Sequence, residues 1–332
     1  MKGVRVPRAQ GERIRLQLLE EGVLRAGYRI FADDDHLYMP VTEDVEGLEM
    51  VEVEFEPLPR ERTYREQLQS VLPEALVDEV HTFDAIGDIA VLDIQEELLP
   101  YAQDIGAALL ASHKHFNVVL GKGGALEGDY RTRRFIHLAG EERTHTIHRE
   151  HGLELEVDLA KVFFSPRLAT ERKRVAEQVR EGEVIIDMFC GVGPFALFIA
   201  KRAHPEIVYA IDLNPDAIDL LKANIVRNKA PCIEPLCGDA AEMVRKLPAA
   251  DRIIMNLPHD AQAFLDTAFD ALAPEGTVHY YAIVNDGQEA MHEQDIGEKA
   301  EAKGKRAIIR NTRRVKPYAP LSHMRVYDIK LV

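Results

Sequence analysis

The sequence predicts an α/β protein whose carboxyl-terminal half is a doubly wound, mainly parallel sheet, preceded by two smaller α/β or α+β modules. Three observations predict it. From about residue 154 onward, apolar runs of strand length alternate with amphipathic runs of helical period. A glycine-rich turn, "DMFCGVGPF" (Asp187 to Phe195), joins the first of these strands to the first helix. The next three strands end on Asp212, Asp239 and Asn256, at the edge where open α/β sheets bind ligands.

The elements follow in order. Residues 1–60 form the first module, in which "QGERIRLQLLEEGVL" has helical spacing at Ile14, Leu18 and Leu19. "LEMVEVEFEPLP" then alternates like a strand before a proline-rich break. Residues 62–153 form the second module. Here "LLPEALVDEV" reads as a helix, "IGDIAVLDI" as a buried strand and "AQDIGAALLASH" as another helix. "HFNVVLGKGGALEGDYRTRRFIHLAG" reads as strands around a glycine-rich turn, and "THTIHREHGLELEVDL" as a hairpin. In residues 154–332, Ser165 is placed to cap a helix with Pro166 at its first position. The strands beyond it are "EVIIDMF", "EIVYAID", "IEPLCGD", "DRIIMN" and "GTVHYYAIV". The helices between them include "GPFALFIAKRA" and "NPDAIDLLKANIVRN", the latter with Asn214 as cap and Pro215 in the first turn.

Composition bounds the function. With 332 residues, 46% hydrophobic and 29% charged, the chain suits an ordinary globular protein of two or three domains. It has no apolar run of about 18 residues, and its start is polar, unlike a signal peptide. Three cysteines, Cys190, Cys232 and Cys237, lack zinc spacing and form no even disulfide framework, so a reducing cytoplasm and no metal are expected. The net charge of −15 argues at first against nucleic acid. Its distribution matters more. Glu301 to Val332 holds nine Lys/Arg against two acids, residues 161–180 hold six against two, and "YRTRRF" is basic outright. The acids gather in "FADDDHLYMPVTEDVEGLEMVEVEFE". An acidic outer module beside a basic functional face fits this pattern; so does scattered, solvated charge.

Gly191 and Gly193 let the backbone turn tightly and approach a ligand closely. The loop is no dinucleotide fingerprint, since position 196 is alanine, and no P-loop lysine follows. Asp212, 21 residues after Gly191, can accept from ribose hydroxyls, and Asp239 from the exocyclic amine of an adenine. Asn256 interrupts an apolar run, and Pro258 ends the strand. Glycine loop, acid, acid and Asn-x-Pro at four successive strand ends resemble the Rossmann-like class I S-adenosylmethionine-dependent methyltransferases. The Asn-x-Pro element resembles the one such enzymes use on planar nitrogens, so Asn256 orients either a base or the methionyl end of the cofactor. Pyrimidine C5 methylation would need a cysteine after this element, and none follows Cys237.

"DYRTRRF", "THTIHREHG", "VDLAKVFFSPRLATER", "DMFCGVGPF", "AIDLNPDAI" and "IMNLPH" together closely resemble the archaeal and eukaryotic tRNA (guanine-N1)-methyltransferases, over roughly residues 62–332. The resemblance implies S-adenosyl-L-methionine as cofactor. It implies methylation of N1 of the guanosine just 3′ of the anticodon, on tRNA held by its anticodon stem-loop and body. A monomer with no membrane contact is expected. By the same resemblance Glu171 is the general base, Arg131 the catalytic arginine and Asn256 the active-site asparagine. Arg172, Gly191, Gly193, Asp212, Leu213, Asp239, Ala240 and Asn256 form the implied cofactor set. His259 stands where the family often has an aromatic or a lysine, which leaves that position's role open. Guanine N1 carries a proton at neutral pH, so a carboxylate base and an arginine facing O6 suit the reaction. Aminocarboxypropyl or methyl transfer to a wyosine precursor, or a non-catalytic tRNA-binding module, are the competing readings.

Overall fold

Val4 and Val6 share one face of the strand Lys2–Pro7, and with Ile14 and Leu18 of the helix Gly11–Glu20 they form the apolar centre of an amino-terminal unit. Leu19, expected on the same stripe, faces solvent instead. The sheet order is Phe31–Ala32, His36–Pro40, Lys2–Pro7, Glu49–Glu52. The structure, a computed structural model, describes residues 1–58, 62–80, 82–124, 128, 130 and 132–332. Within it Met1–Glu66 and Gln67–Val332 are two compact units.

After the helices Tyr64–Val71 and Glu74–Val77 comes a small mixed sheet, Asp84–Ile86, Ile89–Leu92, Val118–Lys122 and Phe135–Gly140, packed on the helix Ala102–Ser112. The run "IGDIAVLDI" is two strands rather than one. Gly87, at φ +56°, reverses the chain in the middle, a conformation open to glycine at little cost. The expected hairpin forms from His145–Glu150 and Leu153–Asp158. Its inward residues Leu155 and Val157 join one apolar cluster with Ile89, Val118, Val175 and Phe195.

Ser165 opens only a short 3-10 turn, Pro166–Leu168, and its side chain makes no capping hydrogen bond. The α-helix proper is α1, Ala169–Ala176. There follow β1 (Val184–Asp187), α2 (Pro194–Ala203), β2 (Ile207–Asp212), α3 (Pro215–Asn228), β3 (Ile233–Cys237) and α4 (Ala240–Val244). The remainder is β4 (Ala250–Met255), α5 (Leu265–Ala271), β5 (Leu272–Asn285), α6 (Glu289–Glu301), β6 (Ala307–Ala319) and β7 (Ser322–Leu331). The seven strands lie in the order β3-β2-β1-β4-β5-β7-β6. The first five run parallel, and the hairpin β6–β7 pairs antiparallel to β5. Pro235 is tolerated because β3 is an edge strand. Asn214 caps α3 by accepting from the Asp216 amide at 3.0 Å.

Candidate active site

The turn after β1 is tied to the turn after β2. Asp212 accepts from the Gly191 amide at 2.7 Å through Oδ2 and from the Asn214 amide at 2.9 Å through Oδ1. Burial pushes the Asp212 carboxyl up, and those two amides pull it back. Each oxygen keeps a second lone pair for a ligand. Leu213, next in the chain, is 44% exposed. The two glycines differ in what surrounds them. A Cβ on Gly191 (φ +54°) would meet only the Phe163 carbonyl, at 3.8 Å, whereas one on Gly193 (φ +83°) would strike Leu221 at 2.3 Å. Gly191 therefore lines an open cradle, and Gly193 allows α2 to pack. Asp239 caps α4 through the Glu242 amide at 3.1 Å, with Ala240 buried behind it. Cys190 is buried, and burial pushes its thiol pKa up, away from nucleophilic use. Open space at Gly191, acceptors at Asp212 and Asp239, and the glycine turn fit the adenosine part of the implied cofactor.

Asn256 follows the last residue of β4, and its buried Oδ1 has no hydrogen-bond partner among the described residues. The loop beyond it is held to β5, where the Ile283 amide donates to the Pro258 carbonyl at 2.9 Å. His259 meets Tyr318 edge-on, with ring centroids 4.9 Å apart. Met255 pairs with Tyr280 across the sheet, so Tyr281 stands level with Asn256 on the neighbouring strand. The Tyr281 hydroxyl donates to Glu171 Oε1 at 2.7 Å. That bond brings the carboxylate of α1 to the carboxyl end of the sheet.

Glu171 is 1% exposed. Oε1 also accepts from Arg174 Nε at 2.9 Å, while Oε2 forms an ion pair with Arg313 but no aligned hydrogen bond. Arg172 points elsewhere. It donates to Glu150 at 2.5 Å and to the Ser165 carbonyl at 2.6 Å, with its guanidinium 5.3 Å from the centre of the Phe164 ring. Burial lowers the Arg172 pKa against the opposing pull of Glu150. Arg172 Nε and Glu150 Oε1 have no partner among the described residues, so the pair offers a ligand one donor and one acceptor. Arg131 lies outside the described residues.

Sequence models place this geometry in a family. The TRM5/TYW2 methyltransferase domain matches residues 146–307, the tRNA methyltransferase 5 N-terminal domain residues 3–49, and the TYW2 N-terminal domain residues 64–144. The chain is 44% identical to the tRNA (guanine(37)-N(1))-methyltransferase Trm5b of Pyrococcus abyssi, over 99% of this chain and 98% of that one. The chain belongs to the TRM5/TYW2 methyltransferase family. The solved complex of aTrm5 and tRNALeu has the same fold, with a TM-score of 0.78 at 33% identity over 99% of both chains. A tRNA(Phe) (4-demethylwyosine(37)-C(7)) aminocarboxypropyltransferase of Methanocaldococcus jannaschii is 38% identical over 59% of this chain and 78% of its own.

Several side chains of this TRM5/TYW2 family member were not singled out in the sequence. Asp187, at the end of β1, is buried and neither oxygen meets hydrogen-bond geometry. Burial pushes its pKa up to about 7 against the pull of the Phe189 amide, and the Asp212 charge adds to the rise. It stood in the quoted motif, but burial is not a local property. Tyr281, Arg313 and Asp328 come from the last third of the chain, and only the fold brings them to α1. Asp286, Glu289 and His323 offer ligand atoms within 4.8 Å of one another, but Arg314 and Arg325 already pair with those carboxylates. The basic stretches also divide. Arg172 and Arg174 are consumed by internal pairs, and Arg167 pairs with Asp84 at 2.6 Å. Arg133, Arg134, Arg306 and Arg310 carry no ion pair among the described residues.

Proposed function

We propose that the chain transfers a methyl group from S-adenosylmethionine to N1 of the guanosine immediately 3′ of the anticodon in tRNA. The observation that carries this reading is Glu171: a buried carboxylate, fixed at Oε1 and unaligned at Oε2, at the strand edge where Asn256 offers an orphaned acceptor. Guanine N1–H is a donor that must lose its proton before it can attack an electrophilic carbon. Glu171 Oε2 takes that proton, and the N1 lone pair forms the new bond to carbon. Asn256 Oδ1 accepts from a donor on the base edge or from the amino group of the methionyl moiety. The family resemblance assigns to Arg131 the stabilisation of the charge that develops on O6. The cofactor supplies a methyl group already activated on a sulfonium, held by the Gly191 turn, Asp212, Leu213, Asp239, Ala240 and Arg172. In this reading residues 62–153 serve tRNA and supply Arg131, and residues 154–332 hold the cofactor and the base. Three thiols without disulfides support a reducing cytoplasm as its place of work.

The match of residues 64–144 to the TYW2 N-terminal domain favours one second reading, action on a wyosine precursor. One experiment separates the readings. Purified protein is incubated with cofactor and tRNA carrying guanosine, adenosine or 4-demethylwyosine 3′ of the anticodon, and the nucleosides are resolved by mass. 1-Methylguanosine from the guanosine transcript alone is expected. An aminocarboxypropyl adduct, or modification elsewhere in the tRNA, overturns the assignment; cofactor binding without turnover reduces the chain to a binding module.

A further inference from the structure

A chain of buried charges runs from Glu171 across the sheet. Arg174 donates from Nε to Glu171 Oε1 at 2.9 Å and also places its two terminal nitrogens on Asp328 of β7, at 2.5 and 3.0 Å. Asp328 Oδ1 lies 2.6 Å from His279 Nδ1, and Arg252 Nη1 lies 2.7 Å from His279 Nε2. A guanidinium has no acceptor, so Nε2 must accept and Nδ1 must carry the proton. Arg252 therefore fixes one neutral tautomer of His279, and that tautomer donates to Asp328. Arg252 is in turn held by Glu183 at 2.8 and 3.1 Å and by the Gln178 carbonyl at 2.8 Å. Asn311 adds a donor to Asp328 Oδ2 at 3.1 Å. The chain starts at the carboxyl edge of the sheet and ends at Glu183, the residue before β1. His279 is fully buried and Asp328 is 3% exposed.

Such an arrangement stabilises a fold no better than well-packed apolar side chains, because each ion must leave water. Its geometry has one outlet that reaches the proposed chemistry, the Arg174–Glu171 contact. We infer that Arg174 and Asp328 are positioning residues for proton abstraction, holding the Oε1 edge of Glu171 so that Oε2, which pairs with Arg313 without an aligned hydrogen bond, is left to take the proton. The inference rests on the reading of Glu171 as the base. Asp328 has a second effect: its charge balances Arg174, so that of the two arginines paired with Glu171 it is Arg313 whose charge acts on the carboxylate uncompensated. Burial opposes ionisation of Asp328, but the bonds from His279 and Arg174 outweigh it and hold its pKa below the ordinary carboxylate value. Among the described residues, the groups facing the Glu171 carboxylate are Arg174 on α1, Tyr281 on β5 and Arg313 on β6. Arg172 beside it is committed to Glu150, and the Asp187 charge reaches the site through Tyr281.

The test is the pH profile of single-turnover methylation, with cofactor affinity measured by calorimetry on the same full-length proteins. Asp328→Asn leaves Arg174 unbalanced against Glu171. It should move the acid limb to lower pH and reduce the plateau about ten- to a hundredfold, the scale of a misplaced reacting group. Arg174→Met removes the cation and should move the limb to higher pH. Arg174→Lys keeps the charge without the planar fork, so the limb should return toward wild type while the plateau stays reduced. Cofactor affinity should hold within about twofold, since the chemistry and not uniform binding is changed. Should Asp328→Asn fail to fold, the two Arg174 variants carry the test, because that side chain is partly exposed. A limb that stays in place, or a cofactor affinity that falls in step with the rate, overturns the inference. Glu171→Gln separates the two levels. If it abolishes the limb while the other variants leave it in place, only the positioning role fails; if it keeps the limb, the base assignment and the positioning role fall together.

Discussion

Glu171 Oε1 is fixed by a tyrosine and an arginine, and Oε2 lies beside the more exposed Arg313. Glutamine in its place keeps an acceptor for Tyr281 but cannot take a proton. Glu171→Gln should therefore slow single-turnover methylation by about 10²–10⁴-fold with cofactor affinity nearly unchanged. A rate within about threefold of wild type would remove Glu171 from the mechanism. Asp187 makes a different prediction. Its folded pKa, raised to about 7, lies above the unfolded carboxyl value, so the folded state binds more protons between the two. Its burial costs little below about pH 4, and the cost grows as pH rises toward 7 and stays constant above it. Asp187→Asn should thus be more stable than wild type at pH 8, by up to about 4 kcal/mol, with the advantage vanishing near pH 4. Denaturant melts at the two pH values check it; an equal difference at both would mean that Asp187 is not the titrating group.

The two glycines of the turn between β1 and α2 separate binding from packing at the level of an element. Both have positive φ, so alanine at either costs about 1–2 kcal/mol of backbone strain. At Gly193 the new Cβ also strikes Leu221 of α3, and overpacking adds about 1–3 kcal/mol. Gly193→Ala should therefore lose more stability than Gly191→Ala, while Gly191→Ala should lose more cofactor affinity per unit of stability. Thermal melts and calorimetry on the pair test this, and the reverse order would place the ligand against Gly193. These positions were legible in the sequence because a glycine turn, a strand-end acid and a capping Asn-Pro are local signals. Asn256 was legible too, since a proline two residues on stops the strand. The hairpin β6–β7 was not. Its residues carry no turn signature as plain as a glycine loop, and β7 is buried along most of its length with His323 and Asp328 inside. Tyr281 and Asp328 become part of the site only through pairing of β5 with β7 and through packing under α1, where the contacts join residues more than a hundred positions apart.

An acidic molecule with a net charge of −15 must hold a polyanion by local cations, and the structure sorts which ones remain available. Arg174 is 18% exposed and bound on both sides by carboxylates, so its charge is already committed inside the protein. Lys303 pairs with Asp270 at 2.6 Å and Arg314 with Asp286 at 2.7 Å, both near the surface. Exposed pairs of that kind are weak and can exchange onto phosphate. Arg133, Arg134, Arg306 and Arg310 have no carboxylate to leave among the described residues, which makes them the better counterions for tRNA. Each phosphate they neutralise releases condensed cations, so log K should fall linearly with log salt concentration. The double variant Arg133→Ala with Arg134→Ala should weaken tRNA binding and reduce that slope by about one to two, with the rate at saturating tRNA unchanged. Arg174→Met should do the opposite, leaving the salt slope intact while changing the rate and its pH dependence. Filter binding across a salt series, alongside single-turnover rates at saturation, reads both quantities. If the slope falls in Arg174→Met and stays at the wild-type value in the Arg133–Arg134 variant, tRNA meets the protein on a different face.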